Sequence, residues 1–131
     1  MLYHLTDPLK ALRAIARSTD RLFLWTHYFD ADVCRAIPEH GLRFAGEVEL
    51  VDGDVRAVGH RYQYLHALRS ARFMGGTRSE ARWLTRADLL RVLRELGFDQ
   101  LEVGFEERAH HHGPSIAIAA RRTATTTTAT A

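Results

Sequence analysis

The chain has 131 residues, a length that suits one small domain. Apolar residues make up 46% and charged residues 26%, a composition that excludes disordered, collagen-like and disulfide-scaffold proteins. The single cysteine cannot form an internal disulfide, which is typical of a reducing compartment. No apolar run approaches the roughly 18 residues of a membrane helix, and no signal peptide is recognisable, so we expect a cytoplasmic protein without a membrane segment.

The formal net charge of +2 conceals a local excess of positive charge. From Val55 to Arg86, seven arginines stand against one acidic residue, Glu80, which gives this span a net charge of +6. Tyr62, Tyr64, Phe73 and Trp83 are interleaved with the arginines. Such a mixture is able to bind phosphate and to stack on a flat ring. It is also typical of a solvated face whose aromatic residues point inward.

The first half of the chain predicts a helix and a strand. Asp7 is a good N-cap and Pro8 suits the first helical position of a helix that runs to about residue 17. The apolar run from Arg21 to Thr26 does not alternate, which is typical of a strand covered on both faces in a parallel sheet. This succession predicts an α/β fold. A short helical turn is predicted between residues 31 and 37.

The middle of the chain predicts a hairpin, a loop and a second helix. Residues 46–62 match a β-hairpin on the turn Asp52-Gly53. Up to residue 84 we expect a helical turn and then a loop around Gly75-Gly76, glycines that let the backbone approach a ligand or simply turn the loop. Thr85 begins a helix with a capping-box-like pattern, and Gly97-Phe98 matches its end.

Two further strands and a tail are predicted at the end of the chain. Leu101, Val103 and Phe105 alternate with polar residues, and residues 115–120 form the second strand. The turn between them contains three histidines, 110–112, but no carboxylate or cysteine at zinc-motif spacing, so we expect no metal. Residues 123–131 contain only threonine and alanine, and we expect a disordered tail.

In order and wording, these elements resemble the C-terminal half of a class I S-adenosylmethionine (SAM)-dependent methyltransferase, over residues 1–122. LYHLTDPLKALRAIAR resembles the segment that follows the family's fourth strand, and RLFLWT its fifth strand. RWLTRADLLRVLRELGF resembles the helix before the sixth strand, and LEVGFEE and SIAIAAR resemble the last two strands. The resemblance implies an α/β fold with a partial Rossmann-like sheet, strands equivalent to 5-7-6, flanking helices and an inserted hairpin. Residues 45–84 would be an insertion on the acceptor side.

The features that bind SAM in this family are missing. The family uses a glycine-rich turn after its first strand and an acidic residue after its second, and the sequence contains neither. The resemblance therefore implies SAM as the cofactor of a complete enzyme, and an isolated chain that is inactive. The strand at residues 21–26 would keep only a stub of its neighbour, so we expect its edge to pair with a partner chain or with a second copy.

Site residues are implied by the same resemblance. Tyr3 and His4 would lie at the end of the fourth strand, next to the cofactor, and His4 would orient the acceptor or take its proton. Each residue also has a purely structural interpretation, as a packing residue at the end of a strand.

Four further residues would contact the acceptor. His27 and Tyr28 leave the end of the fifth strand, and Arg82 and Trp83 belong to the insertion. A guanidinium suits an acidic group, and an indole suits a flat surface. Trp83 is equally understandable as a core residue beside a helix start.

Three functions stay open. The first is methyl transfer to a small-molecule acceptor in the complete enzyme. The second is a noncatalytic remnant or interaction subunit that completes its sheet with another chain. The third is a module that modifies tRNA or another nucleic acid, because some methyltransferases with a similar LYH segment act on tRNA and the span from Val55 to Arg86 is basic.

Overall fold

Two antiparallel three-stranded sheets organise the fold, with strand orders β1-β6-β5 and β2-β3-β4. The computed structural model describes residues 2–36, 38–64 and 80–123. The helices are the 3-10 turn Leu2–His4, α1 Pro8–Ser18, α2 Ala31–Ala36, α3 Pro38–Arg43 and α4 Arg86–Glu95. The strands are β1 Arg21–His27, β2 Phe44–Asp52, β3 Val55–Gln63, β4 Glu80–Trp83, β5 Gln100–Glu107 and β6 Ser115–Arg121. None of the described helices is long and apolar enough to cross a membrane.

The two longest helices begin where the sequence predicts. The Asp7 carboxylate accepts a hydrogen bond from the Lys10 backbone N–H (3.3 Å), and Thr85 Oγ1 accepts one from the Asp88 N–H (3.1 Å). Each cap satisfies a backbone donor that has no partner inside the helix. The predicted starts of α1 and α4 are therefore confirmed.

Helix α4 ends in a Schellman motif. Gly97 has φ +107°, its N–H donates to the Arg94 carbonyl (3.0 Å), and the Phe98 N–H donates to the Leu93 carbonyl (3.1 Å). The Phe98 side chain is fully buried, so the turn also anchors the helix end in the core. This confirms the predicted Gly97-Phe98 signal.

Strand β1 differs from its prediction. It pairs antiparallel with β6, and in the described part of the chain one of its faces is buried and the other exposed, so the expectation that both faces are covered is wrong. Leu24 and Thr26 are buried on the inner face, whereas Phe23 is 72% and Trp25 38% exposed on the outer one. The run lacks alternation because both faces carry apolar side chains, although the described residues cover only one of them.

Strand β5 contains an irregularity that its alternating pattern hides. Val103 pairs with Ile118, but Phe105 pairs with Ala117, so the register shifts at Gly104. Trp25 also pairs with Ala117. Phe105 consequently lies on the outer face with Trp25, 55% exposed, and not on the face of Val103, where regular alternation would place it.

The inner face of the β1-β6-β5 sheet forms the core with α1, α4 and the hairpin. Side chains from all these elements are almost completely buried there. They include Leu9, Leu12, Leu50, Val55, Leu89, Val92, Leu93, Phe98, Ile116 and Ile118.

The predicted hairpin is confirmed as β2 and β3. Asp52 pairs with Val55 around a two-residue turn in which Gly53 has φ +62°, a conformation that glycine adopts without strain. The sequence predicts a loop before Thr85, but residues 80–83 form β4, which pairs with β3. The expectation for Gly75-Gly76 lies outside the described residues.

The N-terminal segment is a turn and not the end of a strand. The Leu5 N–H donates to the Leu2 carbonyl (3.1 Å), and the Leu5 carbonyl accepts from the Arg82 N–H (3.0 Å). The segment therefore docks on β4, and no strand pairs with the outer edge of β1 in the described part of the chain. The expectation that Tyr3 and His4 end a strand is wrong, because this turn leads directly into the α1 cap.

At the C-terminal end, Thr123 is tied to the fold. Its backbone N–H donates to Asp99 Oδ1 (2.8 Å). Residues 124–131, the rest of the expected disordered tail, lie outside the described residues.

Candidate functional site

Four of the predicted site residues come together where the C-terminal end of β1 meets β4. The Tyr3 ring lies 4.2 Å from the His4 ring and 4.5 Å from the His27 ring, measured between centroids. His27 stacks on Trp83 at 5.5 Å with an interplanar angle of 15°. We call Tyr3, His4, His27, Trp83 and the adjoining Tyr64 the histidine–aromatic cluster.

His27 is held in one orientation. Its Nδ1 lies 2.9 Å from the Gly113 carbonyl oxygen and 3.3 Å from the Pro114 carbonyl oxygen. Because a carbonyl oxygen can only accept a hydrogen bond, Nδ1 carries the proton and donates. Burial lowers the pKa of His27 to about 4, and the neighbouring His110 and His112 act in the same direction, whereas the two carbonyl hydrogen bonds oppose the shift. His27 is therefore neutral at neutral pH.

His4 is coupled to Tyr64. The His4 Nδ1 and Tyr64 Oη atoms are 3.3 Å apart and share a hydrogen bond. Burial lowers the pKa of His4 and raises the pKa of Tyr64 to about 12. At neutral pH the imidazole is consequently neutral and able to accept a proton, while the phenol keeps its proton.

The cluster is closely packed in this conformation. A small cavity bordered by Tyr3, Thr26, His27, Arg82 and Trp83 measures only about 10 Å³. Space of that size admits at most one water. The cluster therefore forms a wall, and a ligand would have to lie against its surface.

The other two predicted residues point elsewhere. Tyr28 is 2% exposed and its hydroxyl donates to Glu106 Oε2 (2.6 Å), which places it in the core and not in the cluster. Arg82 borders the small cavity, but its guanidinium donates to the Thr6 carbonyl (3.2 Å) and lies 3.6 Å from the Glu80 carboxylate. The positive charge of Arg82 is thus paired with Glu80 within the protein.

Sequence reasoning missed several residues at this junction. Phe29 and His60 stack face to face, with centroids 3.8 Å apart and an interplanar angle of 11°. Phe44 and Tyr62 both pack on Trp83, at 5.1 and 5.0 Å. The alternation of Tyr62 and Tyr64 along the chain is a sequence signal that these two side chains share one face of a strand. Phe29 lies in a segment without a hydrophobic pattern, so no signal marks it.

The arginines of the basic span are paired where the structure describes them. Arg56 lies 2.7 Å from Glu49 and Arg86 lies 2.9 Å from Glu106. Arg61 forms two hydrogen bonds to Glu80, at 3.1 and 2.9 Å. These carboxylates neutralise much of the local charge. Arg82 also lies near Glu80, and the other three arginines of the span, at 69, 72 and 78, lie outside the described residues.

The histidines after β5 pack on one another. The His112 backbone N–H donates to His110 Nδ1 (3.0 Å), and the His110 ring lies 5.1 Å from the His27 ring. Within residues 2–36, 38–64 and 80–123, no three His, Cys, Asp or Glu side chains are grouped so that they could hold a metal ion.

Two solved structures are similar to this chain. One is the N-terminal domain of EvdMO1 with SAH bound, at 25% sequence identity and a TM-score of 0.63, covering 93% of this chain and 43% of that one. The other is the same domain in the presence of SAH and D-fucose, at 26% identity and a TM-score of 0.63, covering 93% and 44%. No protein-family model and no curated protein matches. The chain thus has the fold of part of an SAH-binding domain, and spans less than half of its length.

Proposed function

We propose that this chain is the acceptor-side half of a SAM-dependent methyltransferase. The observation that carries the proposal is the likeness, over 93% of the chain, to a domain with SAH bound, because SAH is the product that SAM leaves after methyl transfer. The strand order is further support. If β1, β6 and β5 correspond to the family's fifth, seventh and sixth strands, their order must be β1-β6-β5 and β6 must be antiparallel to both neighbours. The sheet has this order and these pairings.

The donor side of the site belongs to another segment of polypeptide in this proposal. The described residues include no glycine-rich turn after a strand, and the cavity within the histidine–aromatic cluster is too small for a nucleoside. SAM supplies an electrophilic methyl group, whose bond to sulfur breaks as a lone pair of the acceptor attacks its carbon. This chain contributes orientation of the acceptor and removal of its proton.

His4 is the residue that we assign to proton removal. Its neutral state at neutral pH makes it a proton acceptor. In the tautomer whose Nδ1–H donates to Tyr64 Oη, the Nε2 lone pair is available for the proton of an acceptor hydroxyl. Tyr3 packs beside the His4 ring at 4.2 Å, and His27 in turn packs on Tyr3 at 4.5 Å, so the Tyr3 ring is held between the two imidazoles.

A test requires both halves of the site. The chain would be fused behind the part of the EvdMO1 domain that it does not cover, and tritium transfer from SAM to D-fucose would be measured. His4→Gln is expected to lower kcat about a hundredfold and to leave KM nearly unchanged. Tyr64→Phe removes the orienting hydroxyl and is expected to have a smaller effect. Equal activity of the three proteins would contradict the role of His4.

An interaction subunit is the second candidate function. It is favoured by the outer face of the β1-β6-β5 sheet, where Phe23, Trp25 and Phe105 are 72%, 38% and 55% exposed. A patch of neighbouring apolar side chains beside an unpaired strand edge is typical of a surface that another chain covers. In this proposal the covering element is a partner chain or a second copy.

Substitution of Phe23 tests this surface. Phe23→Lys is expected to shift the protein from associated species toward monomer in light scattering at several concentrations, because lysine places a charge on the outer face. Leu24 would be a poor choice, since it is 9% exposed and faces the core. Leu42→Lys is the matched control, as Leu42 is 79% exposed on α3. A wild-type monomer with slowly exchanging β1 amides would contradict the proposal.

A further inference from the structure

A second concave region lies between helices α2 and α3 and the β2-β3 hairpin. It measures about 490 Å³ and is lined by Phe29, Phe44, Arg35, Glu47 and His60 among others. Small-molecule sites typically measure about 300–1,000 Å³ and combine apolar walls with a few polar groups. This cleft has the size and the mixture of a ligand site.

A β-bulge builds one wall of the cleft. Phe44 and Glu47 are three positions apart and would point to opposite faces of a regular strand. The register of β2 shifts between them, and Gly46 has φ +110°, a left-handed conformation that favours glycine. Phe44 consequently pairs with Tyr62 and Glu47 with His60, so both lie on one face. Bulges of this kind often occur beside functional sites, where they redirect a side chain.

Three aromatic rings form the floor of the cleft. Phe29 and His60 are only 6% and 8% exposed and stack at 3.8 Å. The Phe44 ring meets Phe29 at 4.9 Å with an interplanar angle of 66°, so the rings form a corner. Aromatic corners of this kind pack well against the C–H face of a saturated ring.

The polar groups of the cleft are balanced in charge. The Arg35 guanidinium is a potential hydrogen-bond donor and the Glu47 carboxylate a potential acceptor, and this carboxylate lies 4.0 Å from His60 Nδ1. Burial lowers the pKa of His60, with Arg35 acting in the same direction and Glu47 and Asp88 opposing, so the ring is neutral at neutral pH and offers one donor and one acceptor. Among the described side chains that line the cleft, one cation and one anion give no net charge to select a charged ligand, while donors and acceptors together suit hydroxyl groups.

We propose that this cleft binds a neutral polyhydroxylated ring, that is, a sugar. The sugar ring would lie on the half-buried Phe44 side chain, beside the buried Phe29–His60 pair, with its hydroxyls bonded to Arg35, Glu47 and His60. The cleft adjoins the histidine–aromatic cluster, because His60 pairs with Trp83 across the strands and the Phe44 and Trp83 rings are 5.1 Å apart. A sugar site here would name the acceptor class of the proposed methyl transfer. Binding of the sugar does not depend on the proposed function; only methyl transfer to the bound sugar rests on it.

An NMR titration of the whole chain with D-fucose tests the site. We expect amide shifts at Gly46, Glu47 and His60 and a dissociation constant on the order of 1 mM. Glu47→Gln should weaken binding about tenfold, since a bond to a charged acceptor is lost. Glu49→Gln is the matched control, on the same strand with the same exposed side-chain fraction of 64%, and should bind as the wild type does.

A charged sugar completes the test. D-Glucuronate should bind no more tightly than D-fucose, because the balanced charges of Arg35 and Glu47 give its carboxylate no net attraction. The proposal is overturned if D-fucose shifts no cleft amide, if both glutamine variants bind alike, or if D-glucuronate binds more tightly. These measurements need no SAM, so their failure leaves the methyltransferase proposal standing, and failure of methyl transfer leaves the sugar site standing.

Discussion

Trp83→Ala is expected to lower the free energy of unfolding by about 3–5 kcal/mol. The indole is 3% exposed and stacks between Tyr62, at 5.0 Å, and His27, at 5.5 Å. The Gly113 backbone also approaches it so closely that a Cβ there would lie 3.0 Å from the ring. Removing the ring would leave a cavity lined by rigid aromatic groups, which cannot collapse to fill it.

Urea denaturation followed by circular dichroism measures this loss. Trp25→Ala is the matched control, because Trp25 is 38% exposed on the outer sheet face and should cost much less. Equal losses for the two tryptophans would show that the histidine–aromatic cluster does not contribute to the stability of the fold.

The protein is expected to lose stability as the pH falls from about 6.5 to about 4, and His27 to be the largest single cause. Its pKa is about 4 in the folded protein and near 6.5 when unfolded, so the unfolded chain binds more protons in this window. Stability therefore rises with pH there, and acidification should remove about 3 kcal/mol through this residue. His4 and His60, whose pKa values are also lowered, act in the same direction.

His27→Asn isolates this contribution. The Asn amide can still donate to the Gly113 carbonyl, as His27 Nδ1–H does, but it does not titrate. Thermal unfolding of both proteins between pH 4 and pH 7 should give a clearly smaller loss of stability for the variant. Identical pH dependence would mean that folding does not lower the pKa of His27.

Local signals predict the ends of the helices well. The Asp7 and Thr85 caps and the Gly97 turn depend on hydrogen bonds between residues that are three to five positions apart. Because these bonds close within the segment, the sequence of the segment determines them. The hairpin turn at Gly53 belongs to the same class.

Features that depend on distant pairing cannot be predicted in the same way. The outward position of Phe105 results from a bulge against β6, and β4 exists because residues 80–83 find an edge of β3. The contact between Phe29 and His60 joins positions 31 residues apart on different elements. No local pattern distinguishes such residues from others of similar polarity.

The residues of the candidate site also differ in how well the sequence predicts their positions. A family resemblance predicts Tyr3, His4, His27 and Trp83 as site residues, and they lie together in the fold. Tyr28 is predicted only because it comes directly after the strand, but one step along a strand reverses the face, and its side chain enters the core.

Calorimetry with SAH tests the central claim most directly. The 131-residue chain alone is expected to bind no SAH, because its sequence lacks the glycine-rich turn. The fusion with the uncovered part of the EvdMO1 domain is expected to bind it with a dissociation constant on the order of 1 μM. Micromolar binding by the chain alone, or no binding by a fusion that unfolds cooperatively, would contradict the account.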